Sequence, residues 1–318
     1  VEATASSRAT DAAQEATQEP RHSNRLGGSV IGEECDRSIW YGFRWVYKPE
    51  VFDAQKLRIF RAGHRLEDEM IADLRATPGF EIDTEDPANP GKQIEFTAIS
   101  GHFIGKLDGR GTGFIEAPAT KHIVECKSHN RKSFLRLSDG VYKGNFKHWA
   151  QMQTYMVGMG DTRAYYMAEC KDDSVRYTER VKLDVTEAMN LMAKAERIIF
   201  AETPPPKAWE SPEEKGAFPC GWCKAKDICH GGGKPARNCR TCMHVTPERT
   251  GDALWTCARW KKALTPGEQR AGCANHLFNP ALVPGEVIEA NEADEWVRYK
   301  MHAGGEFVDG QIRVKEVV

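Results

Sequence analysis

The sequence predicts an α/β or α+β fold, and three observations predict it. Apolar residues recur at three- and four-residue steps over 56–75, 145–159 and about 186–201, the period of helices packed on one face. Between these segments, 94–127 and 164–183 hold short β-like runs separated by turns. The composition, 40% hydrophobic and 28% charged, is that of ordinary globular proteins and excludes wholesale disorder. At 318 residues the chain suits one large domain or two smaller ones.

Residues 1–20 are rich in Ala, Glu, Thr, Ser and Gln without an apolar period, which predicts a disordered tail over 1–28 and order from about Ser29. In 56–75 the stripe is Phe60, Met70, Ile71 and Leu74. From 94 to 127, Phe103-Ile104, Phe114-Ile115 and Ile123-Val124 alternate with Gly-rich turns and predict a meander of strands. Phe146, Trp149, Met152, Met156 and Met159 mark the next helix, strands are expected at 164–170 and 175–183, and polar 171–174 separates them. The helix at about 186–201 stops at Thr203-Pro204-Pro205-Pro206, a stiff connector. A cysteine-rich region runs to about 280, and 286–318 reads as short strands around turns at Gly304-Gly305 and Asp309-Gly310.

The 44 Lys and Arg nearly balance the 46 Asp and Glu, so the net charge of −2 names no partner and any nucleic-acid surface must be local. No apolar run approaches the ~18 residues of a membrane span. Val1-Glu2-Ala3-Thr4 has neither the basic flank nor the apolar core of a signal peptide and does not start with Met, so a trimmed, cytoplasmic chain is expected. Gly231-Gly232-Gly233-Lys234-Pro235 lacks the spacing of a phosphate-binding loop, so no nucleotide cofactor is expected.

The most informative stretch is Gly105-Lys106-Leu107-Asp108-Gly109, followed by Val124-Glu125-Cys126-Lys127-Ser128. If the second run is a strand, Glu125 and Lys127 point to one face and a neighbouring strand brings Asp108 beside Glu125. Two carboxylates meeting among Ile, Val and Phe need a cation. Hard oxygen donors select Mg²⁺ or Mn²⁺, which also take phosphate oxygens and activate water. Lys127 would orient that water or stabilise the charge that develops. On the 56–75 helix Glu67 is the one charged member of the stripe Phe60, Gly63, Met70, Ile71, Leu74, and coordination of the same ion would satisfy it. The alternative is a solvated strand edge for Asp108 and Glu125 and a stripe edge for Glu67.

Gly63-x-x-x-Glu67, Gly105-x-x-Asp108-Gly109, Glu125-x-Lys127 and Gln151-x-x-x-Tyr155, in this order, resemble the motif set of the PD-(D/E)XK nucleases, RecB-like branch, over about 29–230. The resemblance implies a restriction-endonuclease-like core, a mixed sheet flanked by helices. It implies that Asp108 and Glu125, with the Cys126 backbone carbonyl, hold Mg²⁺ or Mn²⁺ and that Lys127 is the catalytic lysine. Glu67 falls where many members carry a metal-binding His and others Glu, and Leu107 stands where the signature has Pro. His64 is expected to be a DNA or surface contact.

Gln151 and Tyr155 share a helix face, where neutral donors suit a scissile phosphate or nearby base; a polar patch on a core helix is the alternative. Between the Glu125 strand and this helix, residues 121–148 hold seven basic residues against Glu125 and Asp139, interleaved with Phe134, Tyr142, Phe146 and Trp149. Phosphate attraction with base stacking holds single strands without sequence readout, which makes Arg131, Lys132, Arg136, Lys143 and Lys147 candidate DNA contacts.

Seven of the ten cysteines crowd into 54 residues, and without an export signal recurring CxxC pairs favour metal ligation over disulfides. Cys220-x2-Cys223-x5-Cys229 lacks one ligand, which Cys35 can supply; four thiolates suit either an iron–sulfur cluster or zinc. The run Cys35-Asp36-Arg37-x-x-Trp40-Tyr41, with that triplet, resembles the iron–sulfur staple of CRISPR-associated exonucleases and AddB-type nucleases and implies a [4Fe–4S] cluster. Cys239-x2-Cys242-x14-Cys257-x15-Cys273 has the loop lengths of zinc ribbons and knuckles, with His276 or His244 as a substitute ligand and free reduced cysteines as the alternative. Trp255, Arg259, Trp260, Lys261 and Lys262 are its candidate contact face.

These readings divide the chain into the tail, a nuclease domain over 29–232 and an appended zinc module over 233–318. The function expected is a Mg²⁺- or Mn²⁺-dependent DNA exonuclease of recombination, repair or end processing in a bacterial or phage-infected cell. A structure-specific or nicking endonuclease, and a non-catalytic DNA-binding scaffold, are the alternatives. A helicase or single-strand annealing protein as partner is an analogy to the family.

Overall fold

A computed structural model describes residues 4–310. The chain opens with helix α1 (Ala5–Glu15), the short strand β1 (Leu26–Gly27), α2 (Asp36–Phe43) and the 23-residue α3 (Ala54–Ala76). Strands β2 (Glu81–Asp83), β3 (Glu95–Ala98), β4 (Phe103–Lys106), β5 (Gly109–Thr112) and β6 (His122–His129) follow. Two short helices, α4 (Arg131–Leu135) and α5 (Val141–Gly144), lead into α6 (Phe146–Met159), then β7 (Arg163–Cys170), β8 (Arg176–Lys182) and α7 (Val185–Phe200). The remainder carries α8 (Lys226–His230), β9 (Val245–Pro247), β10 (Trp255–Cys257), β11 (Lys262–Ala263) and α9 (Pro266–Ala271). It ends in the antiparallel meander β12 (Gly285–Asn291), β13 (Trp296–Met301) and β14 (Glu306–Gly310); residues 311–318, the end of the expected strand region, lie outside the described residues.

The central sheet has the order β2-β5-β6-β7-β8 and is mixed: β6 and β7 run parallel, the other pairs antiparallel. A parallel pair needs a long crossover. Residues 130–162 supply it and lay α6 over one face of the sheet. Period-two alternation then divides β6 between two cores. Ile123 joins the larger core with Trp149, Tyr155 and Met156, while Val124 and Cys126 pack beneath α3 against Met70, Ile71 and Leu74. With both faces covered, β6 reads as a nearly unbroken buried run, as strands inside two-sided sheets do. No helix among the described residues is long and apolar enough to cross a membrane.

The residues 5–15 are a helix, where their composition predicts a tail without order. α1 buries no side chain and is held by polar contacts: Arg58 on Asp11 at 2.6 Å, and the Glu15 carboxylate accepting the Ala54 N–H at 2.9 Å. Contacts of this kind leave no apolar period to read. Phe114-Ile115 is not a strand. The chain leaves the sheet at Gly113 (φ 93°), so Phe114 turns inward and Ile115 outward.

The core does not stop at the expected boundary before residue 233. Cys239, Cys242, Val245, Trp255, Cys257, Leu264 and Leu282 belong to the same apolar cluster as Trp40 and Phe43. Between the two parts lies the Arg240 guanidinium, 3.7 Å from the Trp45 ring centre and 4.4 Å from that of Trp255, donating to the Phe43 and Asn24 carbonyls at 2.8 Å each. Trp255 is therefore fully buried, which corrects its assignment to an exposed contact face.

The N-terminal segment meets α6 through Gly32, where an added Cβ would lie 2.7 Å from the Lys147 Cα and 2.9 Å from the Ala150 Cβ. Because the first of these is backbone, neither side yields easily. Gly32→Ala should lower stability by about 1–3 kcal/mol, read from the urea midpoint, as overpacked sites do; an unchanged midpoint would mean that the two segments are loosely packed.

Candidate active site

Antiparallel pairing of β5 with β6 sets Gly109 opposite Val124, so Asp108, just ahead of β5, arrives beside Glu125. Asp108 is fixed there by the Cys126 backbone N–H, which donates to its Oδ2 at 2.8 Å. On the β6 face turned to α6, Lys127 contacts Glu125 Oε1 and lies 3.7 Å from Asp108 Oδ2. Gln151 on α6 donates to the same Glu125 Oε1 at 2.6 Å. Glu125 is fully buried, and its second oxygen, Oε2, has no hydrogen-bond partner.

The electrostatics follow from this crowding. Burial, opposed by Lys127 and reinforced by Asp108, pushes the Glu125 carboxyl up to about 8. Glu67, reached across the sheet from α3, is pushed up to about 7 by burial and then by Asp108. Burial disfavours the Lys127 charge, yet Glu125 and Asp108 together hold its pKa above the ordinary lysine value. Three acids thus face one ammonium, with hard oxygen donors and one bare buried oxygen among them. That donor set fits Mg²⁺ or Mn²⁺. Among the described residues no group of three or more His, Cys, Asp or Glu side chains is already gathered around a point where one ion would sit.

Of the other residues expected here, Gln151 comes into contact and Tyr155 does not. Tyr155 is buried against Phe96, ring centres 5.7 Å apart, with its hydroxyl turned to the Lys106 backbone. It supports β4, the strand that leads to Asp108. Gln153 spans the Lys182 carbonyl (3.0 Å) and the Asp184 N–H (2.8 Å), away from the acids. His64 is exposed on α3.

A group absent from the sequence reading stands beside the acids. Tyr166, the register partner of Glu125 on β7, places its hydroxyl 2.9 Å from His129 Nε2 and 2.8 Å from His148 Nδ1. Two signals were available. His129 continues the alternation Glu125, Lys127 on β6, and His148 lies three residues before Gln151 on one helix face.

The basic stretch forms an outer face of the crossover. Lys132, Arg136 and Lys143 are exposed and pair with no carboxylate among the described residues, whereas Arg131 pairs with Asp173 and Lys147 with Glu33 at 3.0 Å. Phe146 stacks on Trp149 and Tyr142 meets both rings edge-on, with ring centres 4.8 to 5.7 Å apart; Tyr142 and Phe146 are exposed and Trp149 is buried.

Cys35 comes from the far end of the chain to line one small cavity with Cys220, Cys223 and Cys229. In the second set Cys239 faces Cys242, Cys257 and Cys273; burial first, then those thiols, push its pKa up to about 11. All ten cysteines are free. His276 hydrogen-bonds Thr241 (3.2 Å), while the buried His244 Nε2 has no partner. Of the expected contact face, Trp260 is half exposed under Arg259, Lys261 is exposed, and Lys262 pairs with Glu268 at 2.6 Å.

No family model matches the chain, and no curated protein matches it. Among solved structures it is similar to an alkaline exonuclease, LHK-Exo, from Laribacter hongkongensis. Identity there is 14% and the TM-score 0.41, over 60% of this chain and 90% of that one. The complex of LHK-Exo with dAMP gives 15% identity and a TM-score of 0.38, over 55% and 86% of the two chains. The structure named SSO0001 gives 16% identity and a TM-score of 0.39, over 70% and 93%. At this distance the likeness assigns no activity.

Proposed function

We propose that the protein is a Mg²⁺- or Mn²⁺-dependent DNA nuclease acting from strand ends, with its centre at Asp108, Glu125 and Lys127. The observation that carries this reading is the Glu125 carboxylate: buried, gripped at one oxygen by Lys127 and Gln151, and bare at the other beside Asp108. Buried oxygens without a partner are few in folded proteins, and this one belongs to an acid crowded by a second acid and an ammonium.

Asp108, Glu125 and Glu67, with the Cys126 carbonyl, would hold the cation. When bound, it neutralises charge on the phosphodiester and makes water easier to deprotonate. Lys127 keeps its proton and presents an ammonium to the phosphate or the attacking water. Gln151 occupies Glu125 Oε1 and so leaves Oε2 for the ion. Lys132, Arg136 and Lys143, with Arg131 and Lys147 at the cost of their present pairs, would draw the DNA backbone along the crossover, and Tyr142 and Phe146 would stack unpaired bases. The cavity between Cys35, Cys220, Cys223 and Cys229 supports a cluster that ties α2 to the segment after α7. Cys239, Cys242, Cys257 and Cys273 would hold zinc.

With Mn²⁺, linear DNA labelled at either end should be degraded and circular single strands spared. Asp108→Ala and Lys127→Ala should each lose cleavage by about 10²-fold or more while still binding DNA. Unchanged cleavage in either variant contradicts the proposal, and cutting of the circles would make the enzyme an endonuclease on the same site.

Because burial and Asp108 raise the pKa of both Glu67 and Glu125, the cation-free protein holds protons there that binding must displace. Mn²⁺ affinity should therefore rise from pH 6 to pH 8 with release of about one or two protons, measured calorimetrically in buffers of different ionisation enthalpy. An affinity independent of pH would place the ion elsewhere.

Anoxically purified protein should be brown, and Cys35→Ala should lose iron and thermal stability together. Colourless protein with zinc at these four cysteines contradicts the iron–sulfur assignment.

A further inference from the structure

A chain of hydrogen bonds next to the acids, buried at Tyr166 and His129, plays no part in the reading above. Asn145 Nδ2 lies 3.3 Å from His148 Nε2, and His148 Nδ1 lies 2.8 Å from the Tyr166 hydroxyl. That hydroxyl is 2.9 Å from His129 Nε2, and His129 Nδ1 is 3.0 Å from Ser133 Oγ. Ser133 Oγ in turn donates to the Asn130 carbonyl at 3.2 Å.

The proton positions follow from one end. Asn145 Oδ1 accepts the His148 backbone N–H at 3.4 Å, which turns the amide NH₂ toward the imidazole. His148 must then accept at Nε2, and a neutral imidazole that accepts at one nitrogen donates from the other. It donates from Nδ1 to Tyr166. Tyr166 has one proton, which goes to His129 Nε2; His129 donates from Nδ1 to Ser133. Every hydrogen runs the same way, from Asn145 to Asn130. Both imidazoles are neutral: burial comes first in each, and Lys127 nearby adds to it.

The chain joins the three elements that build the site. His129 ends β6, two residues past Lys127; Tyr166 sits on β7 between Glu125 and Glu179 in register; His148 opens α6 one turn before Gln151. We propose that Tyr166, with His148 and His129, is a positioning device: it docks α6 on the β6–β7 pair so that Gln151 reaches Glu125 Oε1 and Oε2 stays aimed at the cation. This deepens the nuclease reading and rests on it. Tyr166 itself touches no reacting atom.

Tyr166→Phe removes the acceptor of His148 and the donor to His129 together, leaving two imidazole nitrogens buried without partners. A direct outer contact to a ligand is worth about 10–100-fold in metal affinity or turnover, and Tyr166 acts on Glu125 through Gln151, at the low end of that range. The variant should lose about tenfold in both Mn²⁺ affinity and kcat on labelled oligonucleotides, with KM for DNA unchanged. His148→Gln can still donate to Tyr166 and accept from Asn145, and should keep most of both; His148→Leu should resemble Tyr166→Phe. In the cation-free proteins, the Gln151 side-chain NH₂ resonance should be shifted and exchange-protected in the wild type and in His148→Gln, and unprotected in Tyr166→Phe. Wild-type Mn²⁺ affinity and kcat in Tyr166→Phe, or a Gln151 resonance that does not change, would overturn the inference. A wild type that binds no Mn²⁺ and cuts no DNA would instead sink the nuclease reading, while the Gln151 resonance still decides whether Tyr166 positions that helix.

Discussion

A carboxylate in the middle of a two-sided sheet is among the costliest groups a fold can bury, and the arrangement around Glu125 is organised to make it tolerable. Its strand neighbours Ile123 and Val124 enter separate apolar cores, so the acid between Val124 and Cys126 is shielded from bulk water. Lys127, on the same face two residues on, supplies the opposite charge, and Gln151 supplies a neutral donor. Isolated, an ion of this kind would cost several kcal/mol or shed its charge. Here it is met halfway: one oxygen is satisfied, the other is not, and the carboxyl's raised pKa records the deficit. A divalent cation bound as proposed would remove that deficit, and stability and chemistry would then meet in the same side chains.

The topology exists to bring those side chains together. Parallel pairing of β6 with β7 forces a long crossover, and the crossover carries in turn the basic outer face, the cluster of Tyr142, Phe146 and Trp149, and α6 with its glutamine. Residues of the cysteine-rich segment from Cys239 to Leu282 share the larger apolar core with the N-terminal part. Arg240, set between Cys239 and Cys242, spends its hydrogen bonds on the carbonyls of Phe43 and Asn24 and its flat faces on Trp45 and Trp255. A guanidinium can be buried this way because it is weakly hydrated and stacks on indole.

Helices and strands whose apolar residues keep one period were legible: α3, α6, α7, β7 and β8 stand within a residue or two of where alternation and the 3.6 period predict them. So was the convergence of Asp108, Glu125 and Lys127, because a strand's period of two and a hairpin's pairing suffice to place them. Elements held by polar contacts were not. α1 has no apolar face, and Phe114-Ile115 has β-forming residues on a chain that has already turned at Gly113. Tyr155 shares a helix face with Gln151 but is packed on Phe96 of β3, with its hydroxyl on the Lys106 backbone. Trp255 sits in a basic, aromatic segment that looks exposed, and its burial depends on Arg44 and Arg240, whose roles are set by contacts about 200 residues apart in the chain. His129 and His148 each left a signal in the sequence, but the Tyr166 hydroxyl that joins them is placed only by the β6–β7 register.

The most direct test is to locate Mn²⁺ by anomalous diffraction in a crystal soaked above pH 8. A peak roughly 2.1–2.4 Å from Glu125 Oε2 and from an Asp108 oxygen, with Lys127 still against Oε1, is the result this account predicts. An absent peak, or one on the surface with Glu125 Oε2 still bare, would contradict it.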